Sequence, residues 1–330
     1  MAKYSCNHKQ LCCSVIFVII SCVAIPSDSI RLHQQTTTNH ATLFVFGDSL
    51  FDPGNNNYIN TTTYFQANFS PYGETSFKHP TGRFCNGRII PDFIAEFANL
   101  PLIPPFLEPK HHRHQVAYGF NFASAGAGAL SETNCGLVIH LHKQLKNFKK
   151  VRKQMKAELG ESGTNKVLGN AVYLLSIGSN DYFSPSPSFG SFPPDEYISM
   201  VIGNITTVIQ EIYDKGGRKF GILNLGPLGC LPVSRAKNVT GGGDGSCDPQ
   251  ANDVVELHNY GLAMSLLQLQ AQLQGFRYSL FDSFSAALAA QSNPTKYVAS
   301  FNYNNNNLYL KNSPTKPLIC MMSLTILSSN

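Results

Sequence analysis

Five short apolar runs, each stopping at small or polar residues, constrain this chain more than any other feature. Residues 42–46 run into Gly47-Asp48-Ser49, 118–122 into Ala123-Ser124-Ala125-Gly126, and 172–177 into Gly178-Ser179-Asn180-Asp181. Residues 220–225 run into Gly226-Pro227, and 278–281 into Asp282. Stretches with helical periodicity lie between them, at 89–99, 141–159, 197–215 and 252–274. Alternating strands and helices, with strands that are apolar almost throughout, predict a parallel sheet covered on both faces. Ligands of such sheets bind beyond the carboxyl ends of the strands. That is where the Gly, Ser and Asn residues of this chain collect.

The N-terminus speaks to compartment. Lys3 and Lys9 precede an uncharged apolar run, 11–25, and Ser27 and Asp28 lie just past it. The run is short for a bilayer span and has the flanks of a secretory signal; the rival reading is an uncleaved anchor. Residues 1–27 are therefore expected to be a signal peptide and 28–41 a lead-in. Asn-x-Ser/Thr sequons at Asn60, Asn68, Asn204 and Asn238 are candidate glycosylation sites and agree with passage through the secretory pathway. Of nine cysteines, Cys85, Cys135, Cys230, Cys247 and Cys320 lie beyond the signal. Cys230 and Cys247 bracket a Gly-rich loop and form the candidate disulfide, which leaves one thiol over or paired elsewhere.

The formal charge of +5 is mild, and much of it falls on one stretch that includes Lys143, Lys146, Lys150 and Lys153. Leu141, Leu145, Phe148 and Met155 recur there at helical spacing, so the expectation is a basic solvated helix face rather than a nucleic-acid or membrane site. His111, His112 and His114 form a cluster after a Pro-rich stretch; with no further ligands at suitable spacing they read as an exposed loop, and no metal site is expected.

Phe46-Gly47-Asp48-Ser49-Leu50 puts a serine just past the first strand, but Gly-Asp-Ser alone is a common turn. An ordered set of downstream blocks changes its weight: Asp52-Pro53-Gly54-Asn55-Asn56-Asn57, then Gly82-Arg83-Phe84-Cys85-Asn86-Gly87-Arg88, then Asn121-Phe122-Ala123-Ser124-Ala125-Gly126-Ala127-Gly128, then Ile177-Gly178-Ser179-Asn180-Asp181. In this order, and with Asn224-Leu225-Gly226-Pro227-Leu228-Gly229-Cys230 and Asn293-Pro294-Thr295-Lys296-Tyr297, the blocks closely resemble the plant GDSL esterase/lipase family of the SGNH hydrolase superfamily.

The resemblance implies a three-layer α/β/α, flavodoxin-like fold with a five-stranded parallel sheet over residues 42–297, acting on acyl esters of lipid or cell-wall type, secreted to the extracellular space or cell wall, monomeric and without a cofactor. It makes Ser49 the nucleophile. The oxyanion donors would be the backbone N–H groups of Ser49 and Gly126 and the side-chain amide of Asn180, with Gly128 as the alternative glycine. The family takes its triad carboxylate and histidine from a late Asp-x-x-His block. This chain has no such block: the last histidine is His258, and Asp282-Ser283-Phe284-Ser285 falls in the fifth strand region instead. The expectation is a chain that stops short of that block and of the closing helix, with 298–330 an unrelated, poorly ordered tail. A catalytically impaired binding protein is the alternative to an active esterase. Acyl and alcohol specificity stay open.

Overall fold

The computed structural model describes residues 42–109, 115–183 and 190–293, and the backbone of 302–304 and 307–309. The expected signal segment, the His111-His112-His114 cluster and the rest of the expected tail lie outside the described residues.

Five parallel strands form one sheet: β1 (Leu43–Gly47), β2 (Gly119–Asn121), β3 (Val172–Ser176), β4 (Lys219–Leu223) and β5 (Arg277–Phe281), in the order β2-β1-β3-β4-β5. This is the doubly wound order in which the chain reverses direction between β2 and β3, on either side of β1, and leaves a crevice at the carboxyl end of β1. Register fixes the geometry there, because Gly47 at the end of β1 lies opposite Ser176 at the end of β3.

The helices are α1 (Ile90–Phe97), α2 (Gln115–Tyr118), α3 (Leu141–Asn170), α4 (Ser179–Phe183), α5 (Pro194–Asp214), α6 (Pro232–Thr240), α7 (Pro249–Gln272) and α8 (Ser283–Ser292). Helical dihedrals in α3 break at Gly160, one residue past the expected 141–159 helix, so two helices run together across a kink. A short antiparallel pair, β6 (Asn302–Asn304) with β7 (Asn307–Tyr309), completes the described strands.

Alternation along β1 divides the core in two. Phe44 and Phe46 face one way and join Phe120, Phe122, Phe148, Tyr173 and Phe220 in a contiguous aromatic cluster beneath α3, α5 and α7. Leu43 and Val45 face the other way and meet Phe51 and the α1 residues Ile90 and Ala95. Ring pairs such as Phe44–Phe148 at 5.2 Å edge-on and Phe220–Phe276 at 4.9 Å stacked extend the first cluster across the sheet. β5 departs from the expectation of strands buried on both faces: Arg277, Ser279 and Phe281 are exposed, and Tyr278 and Leu280 only half-buried. As the edge strand it has a sheet neighbour on one side only.

Candidate active site

The turn after β1 is built around two buried carboxylates. Asp48 Oδ1 accepts the Leu50 N–H at 3.0 Å, and the carbonyl of Asp48 takes the N–H groups of Phe51 and Asp52. Ser49 stands between them, half-buried, and neither its N–H nor its Oγ has a hydrogen-bond partner among the described residues. An unpartnered donor and an unpartnered hydroxyl on one residue at a strand's carboxyl end are what an acyl-transfer nucleophile requires.

Asp52 fixes the neighbouring loop. Its Oδ1 accepts from Gly54 at 2.8 Å and Asn55 at 2.7 Å, while Oδ2 accepts the Ala125 N–H at 2.9 Å. Asn55 donates to the carbonyls of Asn121 and Ala123, and Asn56 to those of Phe65 and Ala125. Asn56 also accepts the Ser124 hydroxyl. From the other side Gln144 of α3 accepts the Gly47 N–H at 2.9 Å and donates to the Gly47 carbonyl at 2.8 Å. Side-chain amides thus replace sheet partners for backbone that leaves the strands, as buried polar backbone demands.

Within that loop Gly126 has φ +78°, and a Cβ there would lie 2.4 Å from the Phe65 ring, so only glycine fits. Its N–H has no partner among the described residues, and its carbonyl accepts from Asn134 Nδ2 at 2.8 Å. The N–H of Gly128 is also unpartnered among the described residues, but a Cβ there would meet Asp181 Oδ1 at 2.3 Å, so this glycine faces a clamp rather than open space. Asn180, in the first turn of α4, donates one amide proton to the Ala127 carbonyl at 2.9 Å and has a second to offer. Asp181 beside it accepts from the backbone of Ala129 and Leu130 and from the Thr133 hydroxyl. Ser49, Gly126 and Asn180 therefore come just after three adjacent strands, β1, β2 and β3.

Burial raises the pKa of Asp48 to about 7, and the charges of Asp181 and Asp52 add to it. Burial likewise lifts Asp52 and Asp181 to about 6, against the pull of the N–H groups and the hydroxyl that they accept. Farther out, Arg83 makes a buried bidentate pair with Asp92, at 2.8 Å for each bond, and reaches the Pro53 carbonyl.

None of the hydrogen bonds of the described histidines leads to Ser49. His142 is bonded to Asn204 at 2.7 Å, His140 is the N-cap residue of α3, and His258 is bonded to Tyr182 at 2.8 Å. Asp282 caps α8 through the Ser285 N–H and accepts from Asn224, in line with its reading as part of the fifth strand region. Cys230 and Cys247 are bonded to each other with Cα atoms 4.3 Å apart; Cys85 is buried and disulfide-bonded, and Cys135 is an exposed free thiol. Asn60 and Asn68 are exposed, whereas the side chains of Asn204 and Asn238 donate to the Met200 and Ser246 carbonyls. On α3 the basic face is partly paired, Lys149 with Glu211 and both Arg152 and Lys156 with Glu161, while Lys143, Lys146, Lys150 and Lys153 are exposed. Among the described residues no helix is long and apolar enough to cross a membrane, and no group of His, Cys, Asp or Glu is arranged to hold a metal ion.

The sequence singles out Ser49, Gly126 and Asn180 but gives no role to Asp52, Asn55, Asn56, Gln144 or Asp181. The Asp-Pro-Gly-Asn-Asn block is the available signal for the first three. Nothing local marks Gln144, which acts 97 residues from its partner.

A profile of the family described as GDSL-like lipase/acylhydrolase matches residues 43–312. "GDSL esterase/lipase 5" of Arabidopsis thaliana is 48% identical over 289 residues, 86% of this chain and 74% of its own length. "GDSL esterase/lipase 2" of the same plant is 46% identical, with 86% and 76% covered, and "GDSL lipase" of Tanacetum cinerariifolium is 45% identical, with 86% and 74% covered.

Proposed function

Because this chain belongs to the plant GDSL esterase/lipase family, whose members hydrolyse esters, we propose that it cleaves acyl esters with Ser49 as the nucleophile. Ser49 Oγ attacks the ester carbonyl, and the carbonyl oxygen becomes an oxyanion. The N–H groups of Ser49 and Gly126 and the second amide proton of Asn180 take up that charge. Collapse expels the alcohol and leaves an acyl-enzyme, which water then hydrolyses. The observation that carries this reading is the trio of unengaged donors beyond three adjacent strands, each held by backbone or side-chain bonds that cost no rearrangement during reaction. The proton of Ser49 needs a base; none of the hydrogen bonds of the described histidines leads to Ser49, so the base is not assigned to a residue. Labelling with a fluorophosphonate ester and peptide mapping tests the nucleophile: the adduct is expected on Ser49, and an adduct on another residue refutes the assignment.

The placement of His142 on Asn204 and His258 on Tyr182 favours a second reading, a protein that binds acyl esters and turns them over weakly. Calorimetric binding of an ester without product formation would support it. We further propose secretion of the mature chain, from the charge and length of the 1–27 segment, the Cys230–Cys247 bond and the exposed sequons at Asn60 and Asn68.

A further inference from the structure

α4 has only five residues, too few internal hydrogen bonds to hold a helix in place. Its position comes from what its consecutive side chains grip. Asn180 binds the Ala127 carbonyl and Asp181 the loop at 129–133, while Tyr182 Oη shares a 2.8 Å hydrogen bond with His258 Nδ1, 76 residues away on α7. The Tyr182 and His258 rings meet edge-on, centroids 5.5 Å apart. The other side of the imidazole lies against the turn that enters α4. A Cβ on Gly178, whose φ is +122°, would be 3.5 Å from His258 Cε1 and 3.7 Å from Nε2. The ring is thus lodged between Gly178 and Tyr182, which flank Ser179, Asn180 and Asp181 in the chain.

His258 is fully buried, and its Nε2 has no partner among the described residues. Burial lowers its pKa to about 4, so the ring is neutral at neutral pH. A buried histidine that makes one hydrogen bond and leaves its other nitrogen unpaired is costlier than an aliphatic residue of similar size. The single bond it does make is directed at α4. We propose that His258 is a positioning residue for the oxyanion donor Asn180, holding α4 through Tyr182 on one side and the Gly178 turn on the other. The proposal rests on the reading of Asn180 as an oxyanion donor.

The test compares wild type with Tyr182→Phe, His258→Phe and His258→Asn on p-nitrophenyl butyrate. Displacement of a catalytic group by a fraction of an ångström costs about 10- to 100-fold, so Tyr182→Phe and His258→Phe are expected to lower kcat by that factor at unchanged KM. The double variant should be no slower than the worse single one, and His258→Asn, whose Nδ2 reaches the place of the imidazole Nδ1, should recover most of the rate. Unchanged kcat in both single variants, or a loss that appears in KM alone, overturns the proposal. A second readout does not depend on turnover. The side-chain amide resonance of Asn180, identified by its loss in Asn180→Ala, is expected to shift in Tyr182→Phe and His258→Phe and to stay near its wild-type position in His258→Asn. An unmoved resonance overturns the proposal even if the enzyme is active. If the wild type shows no ester turnover but the resonance still shifts in Tyr182→Phe and His258→Phe, the Tyr182–His258 brace on Asn180 stands and only the esterase reading is refuted.

Discussion

Asp52 Oδ2 accepts the Ala125 N–H at 2.9 Å, which ties the turn that carries Ser49 to the residue just before Gly126. One carboxylate thereby sets the spacing between the proposed nucleophile and a proposed oxyanion donor, and it does so with three backbone donors in a fully buried place. Asp52→Ala leaves all three donors unpaired, at about 1–3 kcal/mol for each one that water cannot reach. The melting temperature should fall by at least about 6 °C, at about 2–4 °C per kcal/mol for a domain of this size. Ester turnover should fall about 10- to 100-fold because the loop loses its register. Calorimetric melting and initial rates check both, and wild-type values for either would remove Asp52 from its role.

The Arg83–Asp92 pair should behave as a buried ion pair does. Removing one partner strands the other charge, so Asp92→Ala is expected to lose about 3–5 kcal/mol in urea unfolding. Asp92 also accepts the Ile89 N–H at the start of α1, which adds to the loss. Replacing both charges, as in Arg83→Met with Asp92→Leu, should cost less than Asp92→Ala alone.

Stability should fall as pH rises toward neutrality. Asp48 titrates near 7 in the fold and near 3.8 when unfolded. Between those values the folded chain holds the proton more tightly, so this group's contribution to stability is complete below about pH 4 and is lost as pH rises through 7. Asp52 and Asp181, both raised to about 6, act in the same direction. His258, lowered to about 4 by burial, and His140, lowered by burial and by the charges of His142 and Lys143, oppose them below the unfolded value of 6.5, but they are two groups against three. Melting temperature measured from pH 4.5 to 8 should decline with pH, and Asp48→Asn, which still accepts from Leu50, should flatten the decline. A rising profile would contradict the assignment.

Much of the fold was legible because β1, β3 and β4 are buried, apolar and punctuated by glycine. β5 was legible as a strand but not as an exposed one, since Tyr278 and Leu280 look like core residues until the strand's place at the sheet edge is known. In the candidate site, Ser49 and Asn180 stand out in the sequence because they sit in compact motifs. Gln144 and Asp181 do not, because their roles are defined by backbone groups 97 and about 50 residues away that only folding brings near. His258 falls on the buried face of α7 with Val255, Leu262 and Leu266, where periodicity marks it as a core residue and says nothing of Tyr182.

Asn180→Ala should reduce kcat by about 10²–10³ with little change in KM, as loss of one oxyanion donor does. Gly126→Ala should be at least as damaging, because the left-handed φ and the Phe65 ring together force the loop to move. An Asn180→Ala enzyme with wild-type kcat would exclude its amide from the oxyanion hole.

Ser49 carries the central claim, and one comparison tests it most directly: initial rates of p-nitrophenyl butyrate hydrolysis by the purified chain and by Ser49→Ala at equal concentration. The account predicts turnover above buffer for the wild type and none above buffer for Ser49→Ala. Equal rates for the two proteins would contradict it.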